Sequence, residues 1–269
     1  SVAGTDGKSQ PISEAKLVEV LSRVSAVNGR DPITFFEITT AAAFVAFAET
    51  PADAVILEVG LGGDFDTTNV VERPALCLIT PVSMDHADKL GDTLAKITTT
   101  KAGILKYDVQ AVISQQEAQA LDVIRERARQ VRAPILVYGE DFDAFMQNGH
   151  FVYQTEDEVL DLPPPALMGP HQIINAGAVV AAAVHLKPTL GLTNEAIAQG
   201  LRDVRWPARM QHMASGRIAT DAGTDAEVWL DGGHNPAGGQ VMAQTLADLE
   251  DKSPKPLCMI VGMLGTKDA

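Results

Sequence analysis

Cysteine is nearly absent: the 269 residues hold two, Cys77 and Cys258. That is too few for a disulfide framework, and the pattern fits a reducing cytoplasm. Each cysteine lies in an apolar run, residues 75–80 and 256–263, and reads as a core residue on a strand. Basic residues are also scarce: 21 Lys and Arg face 35 Asp and Glu, for a formal net charge of −14. This argues against a nucleic-acid partner, which would require a basic face. It leaves room for small anions, because a helix N-terminus can bind phosphate on an acidic protein. No run of eighteen apolar residues exists, so no segment is expected to span a membrane. Residues 1–10 are polar and hold no apolar core of a secretion signal. Hydrophobic residues still make up 46% of the chain, enough for a sizeable core.

The apolar residues are organised as short runs alternating with helical patterns. Residues 54–59 (AVILEV), 75–80, 111–114 and 134–137 are continuous apolar stretches, as expected of parallel strands covered on both faces. Between and around them lie helical patterns over 34–49, 93–105 and 115–131. The alternation predicts an α/β fold with a doubly wound, mostly parallel sheet. Residues 143–162 alternate and are acidic, which predicts a hairpin. Prolines 163–165 then punctuate the chain before helices over 171–186 and 194–202. A boundary is expected near 206–213. Beyond it a strand at 227–230, a helix at 236–250 and a strand at 257–262 read as the opening of a second α/β unit. The expected division is therefore 1–207 and 208–269.

Several segments carry chemistry-bearing residues. Gly4, Gly7, Lys8 and Ser9 imitate a phosphate-binding loop, but only three residues precede Gly4, so no strand can feed it. The helix signal starts later, with Ser13 as its N-cap. Residues 57–63 (LEVGLGG) end a predicted strand in glycines, where α/β ligand sites form. The spacing is not a dinucleotide fingerprint, since Phe65 stands where its third glycine belongs. Glu58 at a strand end needs a partner, either an ion pair or a metal. His86 follows another strand end, and an oxygen–imidazole pair with water would suit Mg²⁺ or Mn²⁺. Lys101, in the last turn of a helix, is either a favourable dipole partner or a functional amine. His171 and Gln172 open an apolar helix with Asn175 one turn on. Arg209 is either a boundary ion pair or a phosphate clamp. Residues 231–236 (DGGHNP) can offer Asp231 to a sugar hydroxyl and His234 to a base. Equally, they form a turn with an Asn cap and proline at the first helical position.

In this order the series resembles the folylpolyglutamate synthase/dihydrofolate synthase family of Mur-type ligases. The carriers are 34–37 (TFFE), 57–63 with Asp66, Thr68 and Asn69, 84–86 (MDH) with Leu90 and Gly91, and 101–104 (KAGI). They continue through His171, Gln172, Asn175 and Ala176, then Trp206, Pro207 and Arg209, then 231–236, and end at Lys267 and Asp268. The resemblance implies an ATP-dependent ligase that joins L-glutamate to dihydropteroate or tetrahydrofolate through an acyl phosphate. It implies Glu58 and His86 as Mg²⁺ ligands, with His86 and Lys101 catalytic and Lys101 carbamylated. It implies ATP contacts at Asn175, Arg209, Asp231 and His234, and a pterin held near Phe36 and Asp66. A monomer with small-molecule partners and no membrane is the family's expectation.

Three departures stand against that pattern. The family's phosphate loop is not matched, and residues 1–13 resemble the segment that follows it. Asp64 stands where a basic residue is usual, and Thr100 where glutamate is. The glutamate-holding C-terminal domain is matched only at its opening, so weak or absent turnover is expected of these 269 residues alone. The competing readings are a non-catalytic folate-binding module or partial gene product and, more remotely, a nicotinamide-dependent dehydrogenase.

Overall fold

A computed structural model describes residues 2–3, 9–223 and 226–263. Residues 4–8 and 267–268, and with them the imitation loop and the Lys267–Asp268 pair, lie outside the described residues. A two-residue ladder, β1 (Val2–Ala3) with β2 (Ser9–Gln10), precedes helices α1 (Glu14–Asn28) and α2 (Phe35–Ala48). The Ser13 side chain caps α1 by accepting from the Lys16 N–H. Thr34 and Glu37 form a reciprocal capping box on α2, satisfying two helix N–H groups that no intrahelical acceptor reaches. Glu49 then joins the two helices, accepting from Lys16 at 2.8 Å and Arg23 at 2.5 Å.

The centre is a parallel sheet in the order β3 (Cys77–Ile79), β4 (Ala111–Ile113), β5 (Ile135–Val137). Its residues alternate between two cores, as the two-residue period of a strand requires. Cys77, Ile79, Ala111, Ile113 and Val137 face a core shared with α4 (Leu94–Ala102) and α5 (Ala118–Val131), where Ile97, Leu105 and Ile124 are fully buried. The short helix α3 (Ala87–Leu90) precedes α4. Leu78, Val112 and Leu136 face a second core. That core is built by α6 (Pro170–Leu190), α7 (Asn194–Asp203) and an antiparallel sheet β6 (Asp143–Gln147), β7 (His150–Gln154), β8 (Val159–Leu162). Phe151 and Tyr153 from β7 meet Val180 of α6 there. Each such buried side chain contributes about 1.5–3 kcal/mol. By length and composition α6 could cross a membrane; in this fold its Ala176, Ala178 and Val180 face are packed into the second core. The α/β class expected from the alternation is the one observed, and the predicted hairpin is a three-stranded meander.

After α7 the chain forms β9 (Gln211–His212), α8 (Arg217–Ala222), β10 (Trp229–Leu230) and α9 (Pro236–Lys252), with β9 and β10 antiparallel. Helix α9 packs on α6. Asn235 caps α9 and Pro236 opens it, as the sequence predicted.

Two predicted strands are corrected. Residues 54–59 join no sheet, and Val55 and Ile56 are 54% and 92% exposed. Residues 257–262 likewise pair with no strand among the described residues, and Cys258 is exposed, not core. An apolar run reports that a segment would be covered, not what covers it. A strand also needs a neighbour to take its N–H and C=O groups. Among the described residues β3 pairs with β4 alone, and residues 56–58 line a cavity with α2 instead. Glu58 is therefore not the end of a sheet strand.

Candidate active site

The segment after Glu58 is held by one carboxylate. Asp66, 9% exposed, accepts from the Gly60 and Leu61 N–H groups through Oδ2, at 3.0 and 2.9 Å. Through Oδ1 it accepts from the Thr68 N–H and hydroxyl, at 2.9 and 2.6 Å. Burial pushes its pKa up, but these four bonds outweigh burial and hold it below its ordinary 3.8. Asp66 thus spends both oxygens on shaping the loop. Truncation to alanine strands three part-buried backbone donors and is expected to cost about 1–3 kcal/mol. Asparagine does nearly as badly, because its amide would turn N–H groups toward N–H groups. Because the folded pKa is depressed, the contribution is complete above about pH 5 and fades as acid titrates the folded carboxylate. Urea unfolding of wild type and Asp66→Asn across pH 3–6 measures this; the gap between them is expected to narrow at the acid end.

The loop so formed is clamped on the end of α4. The Asp64 N–H donates to the Thr100 carbonyl at 2.9 Å. A Cβ on Gly63 would stand 2.7 Å from that oxygen and 3.0 Å from the Lys101 carbonyl, and one on Gly103 would meet Asp64 at 2.4 Å. Gly62, at φ +70°, lies between Leu90 of α3 and Thr100 of α4. The Asn69 amide donates to the carbonyls of Asp64 and Gly103, and Lys106 donates to the Asn69 carbonyl at 3.1 Å. Backbone contacts therefore seat the glycine loop between the helix that His86 caps and the one that ends near Lys101.

On the other side of the loop, the Phe36 ring covers Gly60 so closely that a Cβ there would be 2.3 Å from the ring. Phe36, Thr40, Phe44, Leu57, Glu58 and Thr68 line a cavity of about 240 Å³. Its walls are aromatic on the α2 side and include Glu58. A larger groove of about 340 Å³ lies elsewhere, against the Arg125, Arg129 and Arg132 face of α5.

Among the described residues, no hydrogen bond or ion pair joins the side chains of Glu58, His86 and Lys101, and no three His, Cys, Asp or Glu side chains form a metal cage. Among the described residues, the Glu58 and Lys101 side chains make no hydrogen bond or ion pair. Glu58 and His86 offer an oxygen and an imidazole; a divalent cation held by them would draw the rest of its shell from water and phosphate oxygens, as Mg²⁺ usually does.

His86 caps α3 in the left-handed region, at φ 52°. Asp85 accepts from its N–H at 2.8 Å. The other Asp85 oxygen accepts from the Asn235 amide at 2.9 Å and lies 3.6 Å from His234 Nε2 and 3.7 Å from His86 Nε2. Two motifs that are 150 residues apart thus meet at one carboxylate.

The remaining predicted contacts form a second string. Asp231 accepts from the N–H groups of Met210 at 2.8 Å and Gly233 at 2.7 Å. Gly232 donates to the Ala208 carbonyl, and the Arg209 guanidinium sits 2.8 Å from where a Cβ on Gly232 would be. Ala208 and Met210 both hold positive φ, 55° and 41°, a strain of about 1–3 kcal/mol each that this bracing sustains. Asn175 donates to the Gln172 side chain, and Gln172 Nε2 lies 2.9 Å from His171 Nε2. His171 is not an N-cap, for Gly169 holds that place. Burial lowers its pKa, opposed by Asp231 and assisted by Arg209, so the ring is neutral at pH 7 and in electrostatic reach of both. Sequence reasoning missed Asp85's link and the strained 208–210 turn. Two Gly neighbours at 232 and 233 were the only signal that something approaches there.

Residues 2–183 match the Mur ligase middle domain. The chain is 35% identical over 272 residues to the dihydrofolate synthase/folylpolyglutamate synthase of Mycobacterium tuberculosis, covering 94% of this chain and 52% of that protein. It is 31% identical over 274 residues to the folylpolyglutamate synthase of Lacticaseibacillus casei, covering 96% and 61%. Among solved structures, a folylpolyglutamate synthase–AMPPCP–folate complex superposes with a TM-score of 0.75 at 31% identity, over 89% of this chain and 60% of that one. A bifunctional folylpolyglutamate synthase/dihydrofolate synthase with Mn, AMPPNP and L-glutamate bound gives 0.76 at 30%, over 89% and 54%. The chain spans between 26% and 61% of the length of such curated relatives.

Proposed function

We propose, from the premise that this chain belongs to the Mur ligase middle-domain family, that it forms the nucleotide- and folate-facing part of an ATP-dependent amide ligase. The ligase adds L-glutamate to dihydropteroate, to tetrahydrofolate or to both. The observation that carries this reading is the glycine loop clamped between Phe36 and the Lys101 end of α4, with Glu58 among the residues that line the cavity.

A carboxylate resists attack, because its charge repels nucleophiles and oxide is a poor leaving group. A carboxylate oxygen of the folate takes the γ-phosphoryl group of ATP, releasing ADP. The glutamate amine then attacks the carbonyl carbon of the acyl phosphate. A C–N bond forms, the C–O bond to phosphate breaks, and phosphate departs with the electron pair while the amine sheds a proton. Phe36 would stack on the pterin ring, with Asp66 holding the loop beneath it. Asn175, Arg209, Asp231 and His234 would bind the nucleotide, Arg209 through its fork to phosphate oxygens. Glu58 and His86 would hold the divalent cation, which supplies charge neutralisation for the phosphates. Lys101, half-buried at a helix end, would act as its carbamate. These parts supply positioning and charge complementarity.

Release of ADP on adding dihydropteroate or tetrahydrofolate, glutamate and Mg·ATP tests the reading. Separate titrations locate a failure. Binding of Mg·ATP and of folate is expected. Folate binding without Mg·ATP binding would identify a non-catalytic folate module, and binding of neither would reject the proposal.

A further inference from the structure

We infer that Asp85 is a positioning residue, which locks the His86 turn onto the start of α9 and so presets the distance between the cation side and the nucleotide side of the site. The ligand identities rest on the proposed function; the lock itself does not. Asn235 is a two-ended bracket. Its Oδ1 accepts from the Gly238 N–H at 2.8 Å and caps α9, and its Nδ2 donates to Asp85 at 2.9 Å. Asp85 uses its other oxygen on the His86 N–H, at the residue whose backbone is in the left-handed region. The carboxylate also sits before the positive end of a 17-residue helix, which favours its charge. His234, next to the cap, lies 3.6 Å from the same oxygen as His86 approaches at 3.7 Å. One carboxylate thus bonds both segments and lies within 4 Å of an imidazole from each. An interaction that orders a site before the ligand arrives raises affinity by removing an ordering cost.

The test combines a stability cycle with a binding split. Asn235→Ser keeps the cap oxygen on α9 and deletes the donor to Asp85. Asp85→Ala, Asn235→Ser and the double variant are unfolded in urea without ligand. The lock predicts coupling of about tenfold in the unfolding equilibrium constant. Mg·AMPPCP and tetrahydrofolate are then titrated into each protein. Asp85→Ala and Asn235→Ser are expected to weaken Mg·AMPPCP about tenfold or more and to leave tetrahydrofolate within about twofold. Additive stability effects would overturn the inference. So would coupling without any loss of nucleotide affinity, which would make the bond a structural tie alone. Failure of the unsubstituted protein to bind Mg·AMPPCP would reject the proposed function and the nucleotide half of this inference together, while the cycle would still report the tie.

Discussion

In a ligase that carries this segment together with the rest of the enzyme, Glu58→Gln abolishes most ADP release while leaving the fold intact. The carboxylate is exposed and bonds to no other described residue, so its neutral isostere should change stability by less than about 0.5 kcal/mol. The same isolation leaves its charge free for a cation that must be held beside phosphate. Removing one preorganised charge of that kind costs about 10²–10³ in turnover. The two outcomes separate the ligand role from the ion-pair reading that the sequence left open. Urea unfolding and the ADP-release assay on the same preparation check it. A marked loss of stability with turnover retained would return Glu58 to a structural part.

Gly63→Ala damages the fold instead. The added methyl would be 2.7 Å from the Thr100 carbonyl and 3.0 Å from the Lys101 carbonyl, and backbone oxygens at a helix end cannot swing aside as a side chain can. The loop must lift, breaking the bond from the Asp64 N–H to Thr100. Overpacking of this kind costs about 1–3 kcal/mol, and the loss of the hydrogen bond adds about 1 kcal/mol. A melting temperature lower by about 5–10 °C is expected. Gly239→Ala serves as the control, since nothing lies within 4 Å of a Cβ there. An unchanged melting temperature for Gly63→Ala would mean that the loop is not clamped.

The parts that could be read from the sequence are those in which one segment specifies itself. The caps at Ser13 and Asn235 are local hydrogen bonds, and their residues announced them. The sheet at 77–79, 111–113 and 135–137 followed from apolar runs whose alternate residues find cover on both sides. Residues 54–59 and 257–262 carry the same apolar signal and remain unpaired, because pairing depends on a neighbouring strand that composition does not reveal. Cys258 was misread for the same reason. At the site, the glycines at 60, 62 and 63 pointed to close approach but not to what approaches. Only the fold supplies Phe36 on one side and Thr100 on the other. Asp66 was expected against the pterin, and all four of its bonds turn inward to its own loop. The Asp85–Asn235 bond was invisible because it spans 150 positions, and neither residue is unusual where it stands.

The central claim is that Glu58 and His86 serve one cation beside a nucleotide bound at residues 231–234. Diffraction from crystals grown with Mn²⁺ and AMPPCP tests it most directly. A manganese anomalous peak is expected in contact with the Glu58 carboxylate, the His86 ring and a phosphate oxygen. A peak away from both side chains, with the nucleotide ordered, would contradict it.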